Sequence, residues 1–155
     1  MKVRSYQLGE ERAIWRVYYG STRNIVGREY TREQVERWAP DSFDMENWKK
    51  RLAQKNPFVA LIADKIVGFA ELEPDGHIDR FYCHHKFQRQ GIGSALMREV
   101  LAEAGRMGVT RLFAEVSITA RDFFLAKGFT IDEETNNIVC GCPAKQYRMS
   151  KQVNP

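Results

Sequence analysis

The segment Phe81-Tyr82-Cys83-His84-His85-Lys86-Phe87-Gln88-Arg89-Gln90-Gly91-Ile92-Gly93-Ser94 carries the densest chemical signal in the chain. An apolar run ends, a polar and basic loop follows, and two glycines open an amphipathic stretch. A strand that turns through glycines into a helix makes an anion site. The first N–H groups of a helix lack partners, its dipole is positive there, and glycine lets phosphate oxygens approach the backbone. Lys86 and Arg89 add long-range attraction. A dinucleotide fingerprint needs a third glycine where Leu96 stands, and a P-loop needs Lys-Ser or Lys-Thr after its last glycine, so neither motif is present. Taken alone, Gly91 and Gly93 suit a ligand-free strand-to-helix turn equally well.

Other reactive side chains give weaker signals. The odd number of cysteines, with Cys140 and Cys142 one residue apart, makes no disulfide framework and reads as free thiols in a reducing compartment. Cys83 on a strand reads as a small apolar filler rather than an acyl-accepting nucleophile. His84 and His85 are adjacent and are expected to point apart, and Cys140-Gly141-Cys142 has no second ligand pair at zinc spacing, so no metal site is expected.

The elements that must position this loop follow from periodicity. Lys2 to Leu8 alternates like a strand, and Glu10 to Gly20 places Ile14, Trp15, Val17 and Tyr18 on one helical face. Thr31 with Glu33 and Gln34 is a helix start, Pro40 a stop, and Phe43 to Ala53 another short helix. Phe58 to Ala63, Ile66 to Glu73 and His77 to Cys83 form an antiparallel meander, turning at Asp64-Lys65 and at Pro74-Asp75-Gly76. Gly91 to Met107 is a helix stopped by Gly108, Arg111 to Val116 a strand, Thr119 to Lys127 a helix, and Phe129 to Glu134 with Ile138 to Met149 a last strand pair. The passage from strand through helix to strand implies a right-handed crossover between parallel neighbours.

With 43% hydrophobic and 28% charged residues, the 155-residue chain can bury one core. Residues 1–150 are expected to form one domain and 151–155 a flexible tail. The start Met1 to Tyr6 lacks a signal-peptide core, and the longest apolar run, Phe58 to Ala63, is too short to cross a bilayer, so a cytoplasmic protein without membrane contact is expected. The formal charge of +4 is spread along the chain. Its densest basic run, Lys49-Lys50-Arg51, reads as a solvated helix face, and no stripe for nucleic acid is present. The aromatic region Tyr30, Trp38, Phe43 and Trp48 fits core and lid packing as well as substrate recognition.

Gln88-Arg89-Gln90-Gly91-Ile92-Gly93 resembles the pyrophosphate loop of the GCN5-related N-acetyltransferase (GNAT) superfamily. Ile78 to Cys83 is similar to that family's fourth strand, Ser117 to Phe124 with Gly128-Phe129 to its strand-to-helix segment, and Tyr147-Arg148-Met149 to its last strand. Tyr30-Thr31 with Gln34 and Trp38-Ala39-Pro40 resembles the YafP-like branch. The resemblance implies an α/β (α+β) fold: a mixed, mostly antiparallel central sheet, a parallel pair of fourth and fifth strands that splays, and flanking helices. It implies acetyl-CoA as co-substrate, held at Gln88, Arg89, Gln90, Gly91, Ile92, Gly93 and Ser94. Tyr82, Cys83, Ser117 and Phe124 would lie along the pantetheine arm.

The implied reaction is direct transfer of acetyl to an amine, which must lose a proton to a base in reach. Asp79 and His77, which share a strand face with Phe81 and Cys83, are the first candidates, and Glu115 is the next. Where the family often has a tyrosine to protonate the leaving thiolate, this chain has Phe124, so a different donor such as Tyr147, or water, is needed. Small-molecule N-acetylation is the reading favoured here. A non-catalytic acyl-CoA sensor and a peptide or protein N-acetyltransferase are the alternatives, and the acceptor, the acyl length and the pairing of two chains stay open.

Overall fold

A computed structural model describes residues 1–153 of the chain. The elements follow the expected order: β1 (Lys2–Ser5), α1 (Glu11–Asn24), α2 (Arg32–Trp38), α3 (Met45–Lys55), β2 (Phe58–Ile62), β3 (Lys65–Leu72), β4 (Ile78–Cys83), α4 (Ile92–Met107), β5 (Arg111–Ser117), α5 (Arg121–Ala126), β6 (Thr130–Val139) and β7 (Cys142–Gln152). Local chemistry explains several boundaries. The Thr31 hydroxyl accepts from Gln34 N–H while the Gln34 side chain accepts from Thr31 N–H, a reciprocal cap that starts α2. Asp44 accepts from the N–H groups of Glu46 and Asn47 and starts α3.

Strands β1-β2-β3-β4 form one antiparallel sheet. Helix α4 covers one face, with Leu96, Met97 and Val100 packed on Ala60, Val67 and Ala70. Helices α1 and α3 cover the other, with Ile14, Val17, Trp48 and Leu52 on Val59 and Phe69. Burial on both faces is why β3 reads as a near-continuous apolar run rather than an alternating one.

The architecture is the expected α+β one, but two expectations need correction. Instead of one mixed central sheet, β5, β7 and β6 form a separate antiparallel sheet in the order β5-β7-β6. In place of a parallel pair that splays, β4 and β5 meet at an isolated parallel bridge, His77 with Phe113, beside a Phe113 N–H to Gly76 carbonyl bond of 3.1 Å. The ladder goes no further: Glu115, Val116 and Ser117 pair with β7 along one edge, and cavities lie between their other edge and β4.

The expected tail also starts too early. Lys151 and Gln152 continue β7, paired with Leu112 and Arg111, and only residues 154–155 of that tail lie outside the described residues. The final strand pair is one long hairpin turning at Cys140-Gly141, where both φ values are positive (49° and 79°), as a tight hairpin turn requires.

Candidate active site

Two adjoining cavities occupy the space where β4 and β5 part. The smaller, about 170 Å³, runs along Tyr82 and Cys83 to Gln88 and Gly93, with Phe123 across from them. The larger, about 370 Å³, extends toward His77, Asp79, Arg80 and Glu115. Val26, Phe81, Tyr82, Ser117, Ala120 and Phe124 line both, so the two spaces share a wall.

The glycine turn closes the smaller cavity. After β4, His84 N–H donates to the Val67 carbonyl at 2.7 Å, and the Gln88 amide folds back to donate to the carbonyls of Cys83 (3.2 Å) and His84 (3.0 Å). The chain then passes through left-handed Arg89 (φ 62°) and Gly91 (φ 80°). Ala95 N–H to the Gly91 carbonyl, 3.0 Å, is the first bond of α4, so the N–H groups of Ile92, Gly93 and Ser94 have no acceptor within the helix. Among the described residues, nothing but its own chain neighbours lies within 4 Å of where a Gly91 Cβ would stand, which leaves those donors open to approach. This geometry suits a pyrophosphate. Ile92 itself is buried and can contribute only backbone, Gln90 is exposed, and the Ser94 hydroxyl accepts from Lys127 at 2.7 Å.

At the larger cavity His77, Asp79 and Glu115 belong to one connected chain of ion pairs. His77 Nδ1 lies 2.6 Å from Glu73 and Nε2 lies 2.5 Å from Glu115. The hydrogen bond to Glu115 above all, with help from Glu73 and against partial burial, raises the imidazole to about 9, so His77 is cationic at neutral pH. Asp79 bridges Lys55 (2.8 Å) and Arg51 (3.1 Å). Burial pushes its carboxyl up, but these cations overcome that and hold it below its ordinary value. Glu115 is held low chiefly by its bond to His77. All three sequence candidates for the base therefore sit together at the cavity, and each is committed to a partner.

Tyr147 is elsewhere. Its hydroxyl accepts from Arg121 at 3.2 Å, and it lines neither cavity. Phe124 is buried against Phe81 and Phe129 and faces both cavities, so the position that lacks a hydroxyl is the one in contact with the site. Burial pushes the Cys83 thiol up to about 11, which keeps it protonated and unsuited to nucleophilic attack.

Other residues join the site through contacts that the sequence does not signal. The Tyr30 hydroxyl accepts from Ile118 N–H (2.9 Å) and donates to the Lys145 carbonyl (2.6 Å), which fixes the loop before α2 over the end of β5. Arg51, read as part of a solvated helix face, bridges the fully buried Glu71 (2.6 Å) and Asp79, whereas Lys49 and Lys50 are exposed as expected. His84 and His85, expected to point apart, stack with centroids 4.8 Å apart.

The His77 clasp has a stability consequence. Its folded value lies above the ordinary 6.5, so the stabilisation is fully present below pH 6.5 and is lost as pH rises through about 9. Chemical denaturation should show the stability advantage of the native protein over His77→Gln shrinking by on the order of 1–2 kcal/mol across that window, after allowance for partial solvation. A constant difference from pH 6 to pH 9.5 would remove the clasp from the energetics.

The chain matches the acetyltransferase (GNAT) domain family over residues 26–151. It is 27% identical to the uncharacterized N-acetyltransferase YafP of Escherichia coli over 129 residues, covering 83% of this chain and 81% of that protein. A GCN5-related N-acetyltransferase from Rhodopseudomonas palustris superposes with a TM-score of 0.92 at 25% identity, covering 98% of this chain and 95% of that one. The PaiA N-acetyltransferase of Thermoplasma acidophilum, solved in complex with coenzyme A, shares the fold with a TM-score of 0.78 at 19% identity, covering 98% and 99%. Because the family match runs from Val26 through the glycine turn and both strands that flank the cavities, the chain belongs to the GNAT N-acetyltransferase family.

Proposed function

We propose that the protein transfers acetyl from acetyl-CoA to the primary amine of a small molecule by direct attack. The adjoining position of the two cavities carries this reading, since a thioester in the smaller space would lie beside an amine in the larger one with no need of an acyl-enzyme. When bound, acetyl-CoA supplies the electrophilic carbonyl. The N–H groups of Ile92, Gly93 and Ser94 hold its pyrophosphate, and Gln88 fixes the end of β4 alongside the arm. As the amine nitrogen bonds to the acetyl carbon, the carbon–sulfur bond breaks and CoA leaves as the thiolate. Its pKa near that of an ordinary thiol, about 8.5, makes it a tolerable leaving group without the tyrosine that Phe124 replaces.

A covered acceptor cavity favours a small molecule over a peptide. The Gln34 side chain donates to the Pro143 carbonyl (2.6 Å), Trp38 to the Val139 carbonyl (3.1 Å) and Tyr30 to the Lys145 carbonyl (2.6 Å), so α2 and its approach are tied to the β6-β7 hairpin across that space. CoA release measured over a panel of small amines and of peptides with free N-termini or lysines should be faster with the small amines. Preference for the peptides would overturn the reading.

Phe124 favours a second reading, a module that binds acetyl-CoA without turnover. Thermal stabilisation by acetyl-CoA with no CoA released by any amine, together with turnover gained in Phe124→Tyr, would establish the module. For the enzyme, Phe124→Tyr should change kcat only severalfold.

A further inference from the structure

The geometry points to Arg80 as the anchor for a carboxylate on the acceptor, which makes the substrate class a primary amine that also carries an acid group, as in an amino acid. This rests on the small-molecule acetylation proposed above and names its substrate.

Of the charged side chains around the larger cavity, all but one are hydrogen-bonded to a partner of opposite charge. Glu71, Glu73, Asp79 and Glu115 share hydrogen-bonded ion pairs with Arg51, Lys55 and His77. Arg80 also lines the cavity, yet among the described residues its guanidinium makes no ion pair or hydrogen bond; it lies over the rings of Tyr18 (4.5 Å) and Trp48 (5.5 Å). Its field works with that of Arg51 to lower the carboxyl of the buried Glu71, against the burial that raises it, but the two groups make no hydrogen bond or ion pair, so the donors of the guanidinium stay free. A planar cation flattened on aromatic rings, its donors unused, matches a carboxylate's two oxygens.

The Tyr82 hydroxyl is a second unused donor. The ring packs on Phe69 and edge-on to Tyr18, lines the same cavity, and its hydroxyl has no hydrogen-bond partner among the described residues. Both residues are partly exposed at the cavity, so their donors are open to an anionic ligand that enters it. A polycationic amine is disfavoured: the carboxylates it would seek are already bonded to partners, and its second charge would face Arg80.

The test compares CoA release for the L-amino acids with release for the matching amines that lack the carboxylate, such as phenylalanine with phenethylamine and leucine with isoamylamine, and with the methyl esters. The acids should show kcat/KM about 10- to 100-fold above their partners. Arg80→Gln should abolish that preference, and Arg80→Lys should keep part of it, with acetyl-CoA affinity unchanged in both. Turnover of neutral or polycationic amines at least as fast as of the acids, or an acid preference that survives Arg80→Gln, overturns the assignment while leaving acetylation intact. Calorimetric binding of N-acetylphenylalanine and N-acetylleucine, in the presence of CoA, provides a readout apart from activity. Arg80-dependent binding without turnover of any amine would uphold the anchor and overturn the enzymatic reading. Absence of both turnover and such binding overturns the anchor too.

Discussion

Gly91→Val should weaken acetyl-CoA binding by about tenfold or more, whereas Gly108→Val, at the opposite end of the same helix, should leave it unchanged. Both glycines hold left-handed backbone, φ 80° and 73°, and at both the place a Cβ would occupy is open. Either substitution therefore carries the same kind of cost, about 1–2 kcal/mol or somewhat more for a branched residue in that region. Equal strain at two ends makes Gly108→Val an internal control. Only Gly91 stands beside the free N–H groups of Ile92, Gly93 and Ser94, so a difference in affinity isolates anion binding from loss of stability. Gly93→Val is a less clean test. Its Cβ would come within 2.9 Å of the Phe123 ring, and displacing that ring fills the smaller cavity as well as disturbing the turn. Isothermal titration of the two folded variants decides. Equal affinities, whether both unchanged or both reduced, would mean that the pyrophosphate does not sit at this turn.

The glycine turn was legible because its meaning is local. Strand end, basic loop and helix start follow one another in sequence, and unpaired N–H groups are a property of any helix start. The element order was legible for a similar reason, since caps such as Thr31 with Gln34 and stops such as Pro40 act over a few residues. Strand alternation also placed His77 and Asp79 together, but it said nothing of what they face. Their protonation is set by Glu115, 38 residues on, and by Arg51 and Lys55 from α3, whose basic run looks like any solvated helix face.

Arg80 was missed, and Tyr30 was singled out without its contacts, for the same physical reason. An arginine inside a strand ordinarily points to water. Its stacking on Tyr18 and Trp48 depends on two helices that reach the sheet from distant parts of the chain. Tyr30 acquires its role by bonding Ile118, 88 residues away. The division of the sheet was likewise invisible, because strand propensity does not say which edges of β5 will be paired along their length.

The Glu73-His77-Glu115 clasp leads to the second large effect. A group that takes the amine's proton must be unprotonated first, and His77 near 9 is a cation through the neutral range, while Asp79 and Glu115 are held as weakly basic carboxylates. If His77 is the base, kcat/KM of the native protein should rise with pH up to about 9, following loss of the imidazole proton. Glu115→Gln removes the largest influence that raises His77, so the acidic limb should move to lower pH and the rate near pH 7 should increase severalfold, an unusual gain from deleting a carboxylate beside the site. Glu73→Gln should shift the limb less, because its hydrogen bond ranks below that of Glu115. His77→Gln should lose the limb altogether, with acetyl-CoA affinity retained. The acceptor's own amine also titrates in this region, and Glu115→Gln separates the two origins. A limb set by the free acceptor stays where it is in every variant, and a limb set by His77 moves with the charge around it. A profile that keeps its position in both Glu115→Gln and His77→Gln would take His77 out of proton transfer and leave a water in the covered cavity to carry the proton away.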